Sequence, residues 1–132
     1  MDIKVDFGQG VQVNAHFGDF TVATDQPVES GGLNTAPAPY DYFLASLATC
    51  AGFFVARFCQ KREIAMDGIS INMRDMRNEK THLIENIEIE IVLPASFPEK
   101  YRSALIRATN ECSVKKTLQN PPNIETITKI VE

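Results

Sequence analysis

Residues 40–60, "YDYFLASLATCAGFFVARFCQ", carry Asp41 and Arg57 as their only charged side chains. The residues are helix formers or aromatics, and the apolar ones run around the whole circumference instead of forming a stripe. A helix apolar on every side must be wrapped by other structure. Pro39 suits a first helical turn, where its missing N–H costs nothing, and Asp41 then places a negative charge at the helix N-terminus. The helix is therefore expected from about Pro39 to about Gln60. Charges return at Lys61, Arg62 and Glu63, and Asp67-Gly68 closes the segment. At 132 residues the chain is read as a single domain, 1–132, whose remaining elements can hardly cover such a helix. A homodimer is expected, with these helices packed against each other or against the neighbour's sheet.

The flanking sequence supplies the rest of an α+β layout. "IKVDF", "VQVNAHF" and "DFTVAT" alternate apolar and polar residues between Gly8, Gly10 and Gly18, which predicts two or three antiparallel strands. Residues 25–40 hold the prolines and paired glycines of a long loop that could close over a pocket. "ISINMRDM" and "NIEIEIVLP" predict a second hairpin, clearest where Ile87, Ile89 and Ile91 alternate with Glu88 and Glu90. In "EKYRSALIRATNEC", Tyr101, Leu105, Ala108 and Cys112 share one helical face, so Cys112 is expected to point inward. "SVKKTLQNPPN" predicts a short helix stopped by two prolines, and "IETITKIVE" a final strand.

A net charge of −4 and a pI near 5.2 argue against a nucleic-acid partner, since such surfaces concentrate Lys and Arg on one face. The N-terminal sequence has neither the basic start nor the apolar run of a secretory signal, and no segment reads as long and uncharged enough to span a bilayer. A cytoplasmic location with no membrane association is expected. Three cysteines in a reducing compartment do not make a disulfide framework. Their spacing fits no zinc pattern, and His16 and His82 form no ligand pair, so no metal and no cofactor are expected. Cys59, with no motif around it, reads as a packing residue.

"APAPYDYFLASLATCAGF", followed about sixty residues later by "ATNECSVKKTL", resembles the OsmC/Ohr family of osmotically inducible and organic hydroperoxide resistance proteins, in its smaller OsmC-like branch. The family's Pro-Ser-Pro-Tyr-Glu-Leu corresponds here to Pro37, Ala38, Pro39, Tyr40 and Asp41; its Ala-Cys to Thr49 and Cys50; and its Cys-Pro-Val or Cys-Ser-Val to Cys112, Ser113 and Val114. The resemblance implies an intertwined homodimer with sheets wrapped around long buried helices. It also implies thiol chemistry, with Cys50 attacking a hydroperoxide and Cys112 resolving the sulfenic acid to a disulfide that a dithiol reduces.

A peroxidatic cysteine must be a thiolate, and active members of the family favour it with a hairpin arginine and a helix-start glutamate. This chain has no arginine before Arg57, and Asp41 takes the glutamate position. His16 in the second strand and Arg57, about 10 Å beyond Cys50 along the helix axis, are the candidate substitutes. Glu111 beside Cys112 is expected to raise that thiol's pKa by like-charge repulsion, which suits a resolving residue. Tyr40, Phe43, Phe53 and Phe54 are the expected substrate pocket, favouring alkyl over hydrogen peroxide. The alternative reading is a non-catalytic protein that binds a small apolar ligand, with the cysteines as core residues.

Overall fold

The computed structural model describes all residues, 1–132, as two compact units, Met1–Ser46 and Leu47–Glu132. The first holds a three-stranded antiparallel meander of β1 (Lys4–Phe7), β2 (Val13–Phe17) and β3 (Phe20–Thr24), in the order β1-β2-β3. Gly18, at φ 55°, opens the two-residue turn that pairs Phe17 with Phe20, a backbone angle that L side chains adopt at a cost. The loop that follows is organised by one buried carboxylate. Asp25 accepts hydrogen bonds from the N–H groups of Gln26 (2.8 Å), Leu33 (3.2 Å) and Thr35 (3.0 Å) and from the Thr35 hydroxyl (2.6 Å). Gly32 lies so close beneath this turn that a Cβ there would meet the Gln26 carbonyl oxygen at 1.9 Å.

The four donors hold the Asp25 carboxyl down at about 2, the Thr35 hydroxyl and N–H contributing most, against the opposing effect of burial. Because the folded value lies below the usual carboxylate value, this stabilisation is complete above the ordinary range and is lost as pH falls through about 2. The amide resonances of Leu33 and Thr35 are expected to hold steady at neutral pH and to move together at that acid step. Asp25→Asn is expected to open residues 26–35 to proteolysis at pH 7.

Helix α1 spans Pro39–Lys61, as the sequence predicts. Beyond Ser46 it buries Leu47, Ala51, Val55, Phe58 and Cys59, a stripe spaced by about one turn. A single chain therefore covers one face, not the whole circumference. By length and composition alone α1 is sufficient to cross a membrane, contrary to the expectation from sequence. Packing of its buried stripe against a core accounts for the apolar residues of that one face.

That core joins Val55, Phe58 and Cys59 to Phe97 and Leu105, with Ile71 and Ile91 packed alongside. Strands β4 (Ser70–Arg77) and β5 (Ile84–Val92) form the antiparallel hairpin that supplies these isoleucines. Ile71 faces Ile91 across the pair, and on the other face Arg74 lies between Glu88 (3.2 Å) and Glu90 (3.1 Å). A single-turn 3-10 helix, Glu99–Tyr101, leads into α2 (Arg102–Thr109), and α3 (Ser113–Gln119) follows before the two prolines. Cys112 is the N-cap of α3, not a residue of the preceding helix, though it points inward as expected.

The final strand is not formed: residues 120–132 contain no helix or strand. Ile124, Ile127 and Ile130 recur every third residue, so a strand would send them to alternate faces and leave no one-sided apolar surface to bury.

Candidate functional site

The second unit brings Cys50 and Cys112 together. Cys50 comes from the middle of α1 and Cys112 from the junction of α2 and α3; both thiols are free, and each shifts the other's ionisation. Cys112 is 2% exposed, whereas Cys50 is half-buried.

The surroundings separate the two thiols chemically. Burial pushes the Cys50 thiol up, but a hydrogen bond from Cys112, the N–H groups of Val114 and Ser113 and the Ser113 hydroxyl together outweigh it. The Cys50 pKa is lowered. Burial pushes Cys112 up, and its proton is further held by the bond to Cys50; the Lys115 N–H, 3.4 Å from its Sγ, opposes this only in part. The negative charge therefore belongs on Cys50 and the proton on Cys112. Glu111 is not the cause, since its carboxylate is engaged by the Lys116 ammonium.

Removing the Ser113 hydroxyl deletes one of the donors. Ser113→Ala is expected to raise the pH at which Cys50 ionises, read as thiolate absorbance near 240 nm, while leaving the fold intact because Ser113 is exposed.

A cavity of about 410 Å³ adjoins the pair, with Cys112 in its wall. Leu47 and Ala51 of α1, Ile87, Ile89 and Ile91 of β5, and Leu105 of α2 give it an apolar side, and Arg102, Thr109, Asn110 and Lys115 add polar groups to the same lining. The four aromatics expected to form a pocket do not line it. Tyr40 and Phe43 stack on each other in the first unit at 5.3 Å, and Phe53 and Phe54 meet edge to face at 5.1 Å. The apolar side is aliphatic because β5 turns its isoleucine face towards it, a contribution that helix residues alone do not reveal.

The other candidates have partners of their own. Asp41 accepts a hydrogen bond from the Ala38 N–H at 2.9 Å and closes the start of α1. His16 lies between Asp6 (2.6 Å) and Thr21 (3.0 Å) on the three-stranded sheet. Arg57 stands over the Phe53 ring at 6.0 Å. Cys59 is fully buried and its pKa is raised by that burial, as fits a packing residue. The residues missed from sequence are Ser113 and Val114 as donors to Cys50; the signal was their place at the first turn of a helix beginning beside a cysteine.

The sequence pattern of the OsmC family, described as OsmC-like protein, matches residues 31–127. No curated protein matches the chain at a significant level. Among solved structures, a Psychrobacter arcticus 273-4 protein named for osmotic stress induction and detoxification response superposes with a TM-score of 0.71 at 20% identity, over 87% of this chain and 85% of that one. An OsmC-like protein from Mycoplasma pneumoniae gives 0.69 at 15% identity over 91% and 87% of the two chains. The organic hydroperoxide resistance protein OhrB of Bacillus subtilis gives 0.54 at 18% over 91% and 90%. At these identities the structures speak for a shared α+β fold of small antiparallel sheets and a long helix, and the sequence match covers well over half of the chain. The chain belongs to the OsmC-like family.

Proposed function

We propose that this protein is a dimeric, cytoplasmic thiol peroxidase that reduces organic hydroperoxides, with Cys50 as the attacking and Cys112 as the resolving cysteine. The observation that carries the reading is the polarised thiol pair: Cys50 is held as the better thiolate by donors at the start of α3, and Cys112 keeps its proton. A family that includes organic hydroperoxide resistance proteins supports a redox role.

In the first step the Cys50 thiolate attacks an oxygen of the hydroperoxide. The O–O bond breaks, a sulfenic acid forms on Cys50, and the alkoxide leaves as the alcohol after taking a proton. Cys112 then attacks the Cys50 sulfur, an S–S bond forms, and water leaves with the Cys112 proton. Two electrons from a cellular dithiol restore both thiols. The Ser113 and Val114 N–H groups take the part that a cation would otherwise play at Cys50.

The aliphatic side of the cavity beside Cys112 gives an alkyl group an apolar contact that hydrogen peroxide cannot use. Turnover with dithiothreitol as reductant is expected to be faster with tert-butyl hydroperoxide than with hydrogen peroxide by about tenfold or more. Equal rates, or none with either peroxide, would count against this reading. The same cavity also favours a second reading, in which an apolar ligand is bound and the cysteines do not cycle. Retention of an aliphatic probe by a protein inert to peroxide would select it.

The dimer is supported by apolar surface that one chain leaves open. Phe7 is 82% exposed on β1, Phe53 stands out from α1, and Ile130 is 91% exposed near the C-terminus. Sedimentation is expected to give twice the chain mass of 14.7 kDa. A concentration-independent monomer would refute the dimer.

A further inference from the structure

We propose that a groove between α1 and α2, separate from the cysteine pair, binds a small organic anion of the phosphate-ester class through a cluster of four cations. The groove measures about 440 Å³. Along α1, Phe54, Arg57, Phe58 and Lys61 stand at i, i+3, i+4 and i+7, so they share one face. On α2, Ala104 and Ala108 are small enough to leave the space open, and Arg107 stands between them. Arg62 completes the rim.

Arg57, Lys61, Arg62 and Arg107 have no carboxylate partner within ion-pair distance. The one carboxylate in the lining, Glu111, is already engaged by Lys116. In a chain of net charge −4, four cations around one groove without a carboxylate partner invert the local sign, although Arg62 also donates to the Phe58 carbonyl at 3.4 Å, and their mutual repulsion is relieved by an anion. Three are arginines, whose planar forks match phosphate oxygens two at a time. Several cations against no free carboxylate favour a ligand with two negative charges over one.

The floor gives the ligand an apolar side. The Arg62 guanidinium carbon lies 3.6 Å from the Phe58 ring centroid, over the ring face, and Phe54 borders the same space. A phosphate carried on a ring or short hydrocarbon fits this pairing better than inorganic phosphate does. The inference does not depend on the peroxidase reading, because the binding is measured on reduced protein without peroxide.

The test is calorimetric titration of the reduced, full-length protein with phenyl phosphate, inorganic phosphate and phenol at about pH 7.5, where the ester is close to doubly charged. Saturable binding of phenyl phosphate is expected, tighter than that of inorganic phosphate, weakened by added salt and not reproduced by phenol. Arg57→Gln combined with Arg107→Gln is expected to weaken it about tenfold or more, and Lys61→Glu to weaken it independently. All three positions are exposed, so the fold should persist, and Lys80→Gln on the distant hairpin turn should leave binding unchanged. Absence of saturable heat, phenol binding as tight as the ester, or unchanged affinity in both groove variants would overturn the proposal. So would a change in oligomeric mass in those variants without ester binding, which would make the groove an interface between copies.

Discussion

Cys50→Ser is expected to end peroxide-driven thiol oxidation, lowering the rate with tert-butyl hydroperoxide by at least about a thousandfold, whereas Cys112→Ser leaves the first oxidation intact and stops the cycle after it. The asymmetry follows from the two environments. Cys50 is the half-buried sulfur on which α3 directs its first N–H groups, and Cys112 is the buried sulfur that keeps its proton. In the Cys112→Ser protein one equivalent of peroxide should produce a Cys50 sulfenic acid that dimedone traps, without a disulfide. Loss of the first oxidation in Cys112→Ser but not in Cys50→Ser would reverse the assignment of roles. With Cys59 fully buried and its thiol pushed up, the third cysteine should remain reduced throughout.

Phe58→Ala carries the largest expected cost to stability, about 3–5 kcal/mol, because it removes a buried ring on which several contacts converge. Phe58 packs with Val55, Cys59, Phe97 and Leu105, meets Tyr101 edge to face at 5.9 Å, and carries the Arg62 guanidinium across its face. The cavity left behind is bordered by α1 and α2, which cannot close on it without shifting against the hairpin. Urea denaturation followed by circular dichroism measures the change. A loss under about 1 kcal/mol would mean that the core is held elsewhere.

The sequence made the long helix legible because Pro39 marks its start and an uninterrupted apolar run leaves no other element possible; the observed bounds are Pro39–Lys61. The hairpins were legible because Ile87, Ile89 and Ile91 keep period two. What the helix pattern hid was how little of it one chain covers, since apolar composition states a need for contact and not its supplier. The tail after Pro122 misled for a related reason: Ile and Thr favour strands only where a partner backbone and a one-sided apolar face exist, and Ile124, Ile127 and Ile130 offer no such face.

At the site, the resemblance points to the two cysteines, and the sequence offers His16 and Arg57 as the cations to support them. The support came from backbone N–H groups instead, which every residue but proline carries and no side-chain pattern reveals. Asp25 does not stand out in the sequence because a lone aspartate in a loop has many ordinary uses. Its flanks, a proline two residues on and the Gly31-Gly32 pair beyond, were the available sign of a tight turn that a carboxylate could gather.

The central claim is that Cys50 and Cys112 form a redox pair, and its most direct test is to add one equivalent of tert-butyl hydroperoxide to the reduced protein, count free thiols over time and map disulfides by mass spectrometry without reduction. The account predicts rapid loss of two of the three thiols and a Cys50–Cys112 link, with Cys59 still free. Survival of all three thiols for many minutes, or a link that involves Cys59, would contradict it.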